Sequence, residues 1–168
     1  MYRIHRRGLG AWWFSHDSSG RFDLRSPRGT CYLAENPLGS FIEVFRDTRI
    51  VAESDVDQRV LSTVHVPDHV DLADCTESGA LAFGVTAAIH SSESYERTQE
   101  WAAAFADAGF GGIRYLVSHD PAQRLVGVAL FGSAGAQDRP VADTGPIESD
   151  VIAAARERFG IIVLPTPA

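Results

Sequence analysis

Residues 30–45 read TCYLAENPLGSFIEVF, and this segment constrains the fold more than any other. Thr, Cys, Tyr and Leu in the first five positions suit a pleated, half-buried strand. Asn36 can then accept a hydrogen bond from the next turn, and Pro37 is pre-set for a first helical position. The sequence therefore predicts a strand over 30–34 that runs almost directly into a helix from 37 to about 46. Leu38, Phe41, Ile42 and Phe45 recur at i, i+3, i+4 and i+7, so they share one apolar face.

Further strands are expected at YRI (2–4), RVLSTVHV (59–66), VDLADC (70–75), GIRYLVS (112–118), LVGVALFG (125–132) and IIVLP (161–165). The pair at 112–118 and 125–132 is joined through HDPAQ, which is short enough for an antiparallel connection. AWWF at 11–14 reads as an aromatic anchor or short strand. ALAF, in the ambiguous stretch 76–90, has room for one helical turn. Ser91 or Ser92 is expected to cap a helix reaching about Ala108, stopped by Gly109, with Tyr95, Thr98, Trp101, Ala102 and Phe105 on its inner face. Pro146 is expected to open a last helix ending near Phe159. Strands in succession with interspersed helices argue one α+β domain over 1–168, with a mixed, mostly antiparallel sheet and flanking helices.

Composition removes several kinds of chemistry. All fifteen basic residues of the 168 are arginine. Without lysine there is no Schiff base for a pyridoxal-phosphate enzyme and no phosphate-loop lysine, and GxxxxGK[ST] is absent. Any phosphate bound here must be held by Arg forks or helix N-termini. The net charge of −7 argues against direct nucleic-acid binding, which needs a basic face. Cys31 and Cys75 form no CxxC and read as two small buried thiols. The histidines show no metal spacing: His65 and His69 are separated by Pro67, so no metal is expected. GxSxG and GxGxxG are absent too. No apolar run is long enough for a membrane span and no signal-peptide core is seen, so a cytoplasmic protein is the expectation.

The remaining polar candidates each carry two readings. Glu43 points about 150° from the centre of its helix's apolar face, so it is either a solvated residue paired with Arg46 or a carboxylate facing a ligand. Gly39, one turn earlier, is expected to leave space beside it. Arg3, in YRI, is a surface or ion-paired arginine or an anion clamp. Tyr32 is core packing or a platform for an aromatic ring. Arg21 is a turn residue or a phosphate ligand, and Ser118 a turn former or a site residue. AWWF and the region of Trp101 suit packing, a partner surface or self-association, which leaves a homo-oligomer open.

Taken in order, Arg3, GRFDL…GTCYLAENPLGSFIEVF, YERTQEWAAAF and GIRYLVSHDP…GVALF resemble the RES domain family, named for an arginine, a glutamate and a serine. The resemblance runs from residue 2 to about 132, and GRFDL…CYLAE…E is its most specific block. It implies a fold similar to ADP-ribosyltransferase toxins. It also implies a bacterial toxin of a toxin–antitoxin pair that consumes NAD⁺ as substrate, by phosphorolysis, hydrolysis or ADP-ribose transfer, with no cofactor. The implied partner is a small helix-turn-helix antitoxin that covers the active-site entrance. Carried over residue by residue, the family arginine falls on Arg3, the strand tyrosine on Tyr32, the glutamate on Glu43 and the GR-loop arginine on Arg21. The serine falls on Ser118, with Ser94 as competitor.

Overall fold

The structure is a computed structural model and describes residues 1–165; the last three residues of the expected 1–168 domain lie outside the described residues. In chain order the elements are β1 (Tyr2–Arg6), β2 (Trp13–Phe14), β3 (Arg28–Ala34), α1 (Pro37–Phe45), β4 (Ile50–Ala52), α2 (Glu53–Asp57), β5 (Arg59–Val64) and β6 (Leu72–Asp74). A 3-10 segment (Ser78–Phe83) follows, then α3 (Ala88–Ser91), α4 (Tyr95–Asp107), β7 (Gly112–Leu116), β8 (Val126–Ser133), β9 (Gly135–Ala136), β10 (Val141–Gly145), α5 (Ser149–Phe159) and β11 (Ile162–Leu164). Seven strands form one sheet in the order β10-β5-β1-β3-β8-β7-β6. Every neighbouring pair in it is antiparallel except β6 and β7, so the expected α+β class with a mostly antiparallel sheet is observed.

The strand-to-helix turn forms as its residues dictate. Asn36 takes extended backbone angles and its side chain accepts the Gly39 N–H at 2.7 Å, while Pro37 opens the helix. The helix then buries Leu38, Phe41, Ile42 and Phe45. They join Ile4, Val117, Val151 and Ala155 in a core between α1, α5 and one half of the sheet. A second core lies over the other half of the same face, where Phe22, Ile113, Tyr115, Ala129 and Ala102 of α4 meet. The opposite face carries a third core of Trp12, Phe14, Cys31, Leu33, Val128 and Leu130. AWWF is thus an anchor and a short strand at once: Trp12 and Phe14 are buried and Trp13 is exposed.

Some boundaries differ from the sequence reading. The cap position of α4 is Ser94, not Ser91 or Ser92: Ser91 ends α3, and Ser92 spends its hydroxyl on the Ser94 carbonyl at 3.0 Å. The last helix begins at Ser149 rather than Pro146: β10 runs to Gly145, paired to β5, and the backbone is still extended at Glu148. β10 itself, VADTG, has no hydrophobic alternation to announce it and is recruited by its neighbour. Both cysteines are free and buried. No described helix is long and apolar enough to cross a membrane.

Candidate active site

The sheet is nearly split between β1 and β3. Their pairing consists of Tyr2 against Ala34. Beyond that point the Ile4 N–H donates to Ser40 Oγ of α1 at 2.7 Å, so a helix hydroxyl supplies the bond a neighbouring strand would have made. A cleft of about 280 Å³ opens beside this gap, at the seam between the two cores that share one sheet face. Its lining includes Arg3, Arg21, Tyr32, Glu43, Arg46 and Tyr115. Four of the residues singled out from sequence, on β1, the 15–27 loop, β3 and α1, therefore converge. Ser118 and Ser94 are not part of that lining. Ser118 Oγ is hydrogen-bonded to His119 Nδ1 at 3.0 Å, and Ser94 stands at the head of α4.

Arg3 belongs by register to the opposite face of the sheet, where it lies across from Ser62. Its Nη1 donates to the carbonyls of Ala11 and Trp13 and to Cys31 Sγ at 2.7 Å. Arg3 is nonetheless among the residues lining the cleft, at the gap where β1 parts from β3. Burial pushes the Cys31 thiol up, against the pull of Arg3 and Arg139, so the arginine meets a neutral sulfur.

Tyr32 is fixed at both ends of its hydroxyl. It donates to Asp23 Oδ1 at 2.8 Å and accepts from the Phe22 N–H at 2.8 Å. Burial, with Asp23 alongside, holds this phenol well above its ordinary range. Asp23 is itself buried and also accepts from Ser15 Oγ at 2.8 Å and the Gly20 N–H at 3.0 Å. Gly20 is required there, since a Cβ would come within 2.4 Å of the Tyr32 hydroxyl. With its hydroxyl committed, Tyr32 has its ring to offer a ligand.

Arg21 donates to the Ser92 carbonyl at 2.6 Å and stacks 4.9 Å from the Tyr95 ring centroid. Its backbone carbonyl is held by Thr98 Oγ1 at 2.6 Å, and Gln99 holds the carbonyls of Ser18 and Gly20. The first turns of α4 thus strap the loop that carries Arg21.

Glu43 is half-buried, and the pairing with Arg46 expected from sequence is present, Nη1 to Oε2 at 3.1 Å. Its other oxygen accepts from the buried Tyr115 hydroxyl at 3.3 Å. Burial alone would lower the Arg46 pKa; Glu43, Tyr95 and Asp47 together outweigh it and raise it. His119 is pushed down by burial and by Arg46 and pulled up by Glu43, so the Ser118–His119 turn lies within electrostatic reach of the carboxylate. Gly39 does not open this space. It is buried against Ala34, whose Cβ would lie 3.2 Å from an added Cβ, so its role is close packing of α1 on β3. Sequence reasoning passed over Tyr115, Asp23 and Ser40. Their signal was thin: polar groups inside otherwise apolar or turn-like stretches.

A family model described as the RES domain matches residues 1–150. The chain belongs to the RES domain family. The RES domain here has a solved counterpart in the crystal structure of the M. tuberculosis MbcT–MbcA toxin–antitoxin complex. The two superpose with a TM-score of 0.71 at 18% identity, over 94% of this chain and 87% of that one. At that identity the likeness is one of fold. A search of curated protein sequences gives no significant match. Among the described residues, no three His, Cys, Asp or Glu side chains of this RES domain group as metal ligands.

Proposed function

We propose that this RES domain is the toxin of a bacterial toxin–antitoxin pair, a cytoplasmic enzyme that breaks NAD⁺ at the nicotinamide–ribose bond. The observation that carries the reading is the meeting of Arg3, Arg21, Tyr32 and Glu43 in one cleft of a chain that belongs to this family. In the reaction, the electron pair of the C–N bond passes to the nicotinamide nitrogen, which leaves neutral, and positive charge builds on the ribose. Glu43 stabilises that charge and accepts hydrogen bonds from the ribose hydroxyls. The Tyr32 ring holds the nicotinamide in a cleavable orientation. Arg3 and Arg21 bind the pyrophosphate or an incoming phosphate. Ser118 hydrogen-bonds the substrate or orients Glu43. Attack by water gives ADP-ribose and a proton, attack by phosphate gives a phosphorylated ADP-ribose, and a protein side chain gives an ADP-ribosylated acceptor. Residue types of this kind require no metal or separate cofactor.

The partner proposed for this chain is a small helix-turn-helix antitoxin; the fold neighbour was solved in a toxin–antitoxin complex. The test is purified protein with NAD⁺, with and without phosphate, followed by nicotinamide release, and labelled NAD⁺ with cell lysate for protein acceptors. Release in one arm is expected, lost together with cell toxicity in Glu43→Ala. If NAD⁺ binds but neither nicotinamide nor labelled protein appears, the chain is a non-catalytic nucleotide-binding module and the proposal fails.

A further inference from the structure

Tyr115 meets Glu43 from the sheet rather than from the helix that carries the carboxylate. Its residue lies directly opposite Gly127 across β7 and β8, and a Cβ on Gly127 would come within 2.4 Å of the Tyr115 Cζ. On the other side the Phe22 ring packs with its centroid 5.0 Å away, tilted by 57°. The residue is 3% exposed. The ring is therefore locked in a slot of rigid strand, and the direction of its hydroxyl is set by β7. Packing alone would be met as well by phenylalanine, because a buried hydroxyl is costly unless bonded. Its bond is to Glu43 Oε1, at 3.3 Å.

We infer that Tyr115 is a positioning residue for Glu43, holding one carboxylate oxygen while Arg46 holds the other and so turning the remaining lone pairs toward the cleft. The inference rests on the proposed role of Glu43. A glutamate has three side-chain torsions to restrain, and a donor on each oxygen restrains them before substrate arrives. Burial and the nearby carboxylate push the Tyr115 phenol well above its ordinary range, so it stays protonated and serves as a donor at any working pH. The 3.3 Å separation exceeds the usual O–H···O distance, as catalytic contacts often do before substrate tightens them.

Tyr115→Phe removes the hydroxyl and keeps the ring in its slot. With NAD⁺ as substrate, kcat is expected to fall about ten-fold while KM stays within about two-fold. An unchanged kcat, or a loss confined to KM, overturns the inference. A second measurement needs no substrate: a double-mutant cycle of Tyr115→Phe and Glu43→Ala, read by denaturant unfolding. Coupled groups give a double variant whose shift differs from the sum of the two single shifts; additive shifts overturn the inference. If the wild type does not turn over NAD⁺, the reading of the reaction falls, and the cycle still decides whether Tyr115 holds Glu43.

Discussion

Asp23→Asn tests whether the cleft is held from behind by one buried carboxylate. Asp23 is 2% exposed and accepts three hydrogen bonds, from Tyr32, Ser15 and Gly20. Asparagine fits the same volume but offers a single acceptor oxygen. If that oxygen faces Tyr32, the amide nitrogen confronts the Gly20 N–H, donor against donor. If it faces Gly20 and Ser15, the Tyr32 hydroxyl loses its acceptor, having already received the Phe22 N–H. The second arrangement is cheaper and still loses one charge-assisted bond while weakening two others. That amounts to about 2 kcal/mol. For a chain of this size the melting temperature should then fall by about 4–8 °C. Thermal unfolding of both proteins at neutral pH measures it, with NAD⁺ turnover alongside, since a Tyr32 ring without its anchor should lower turnover too. A melting temperature within about 1 °C of the wild type would refute the idea that Asp23 braces the cleft.

Gly127→Ala should be destabilising by about 1–3 kcal/mol, because its Cβ collides with the buried Tyr115 ring; unchanged denaturant unfolding would show that the ring can move aside. His90 is buried, its Nε2 faces the Cys75 carbonyl at 3.1 Å, and its Nδ1 accepts the Leu116 N–H at 3.3 Å, so it is held as the neutral imidazole. Burial lowers its pKa from 6.5, so the unfolded chain binds the proton at a higher pH than the folded one. Its contribution to stability is full above 6.5 and is lost as the pH falls through the lowered folded value. Stability should therefore decline as the pH falls below 6.5, with a smaller slope in His90→Gln. An unchanged slope in that variant would assign the effect to His5 and His119, whose values burial also lowers.

Local sequence determined the turn at the centre of the molecule. The cap at Asn36, the proline at 37 and the four apolar positions of α1 interact within a few residues, so their outcome can be read without knowing the fold. The same period put Glu43 off the apolar face, and the ordered motifs pointed to Arg3, Arg21 and Tyr32. Long-range geometry decided the rest. Whether Glu43 faces water or a cleft depends on β1 parting from β3 after a single paired position, which leaves a gap that no local pattern encodes. Gly39 was misjudged for the same reason: its missing side chain makes room for Ala34, a neighbour identified only once α1 lies on β3. Tyr115 and Asp23 look like ordinary strand and turn residues in one dimension. Their roles come from partners 72 and 9 residues away in sequence, Glu43 and Tyr32, brought within hydrogen-bond distance by the packed sheet.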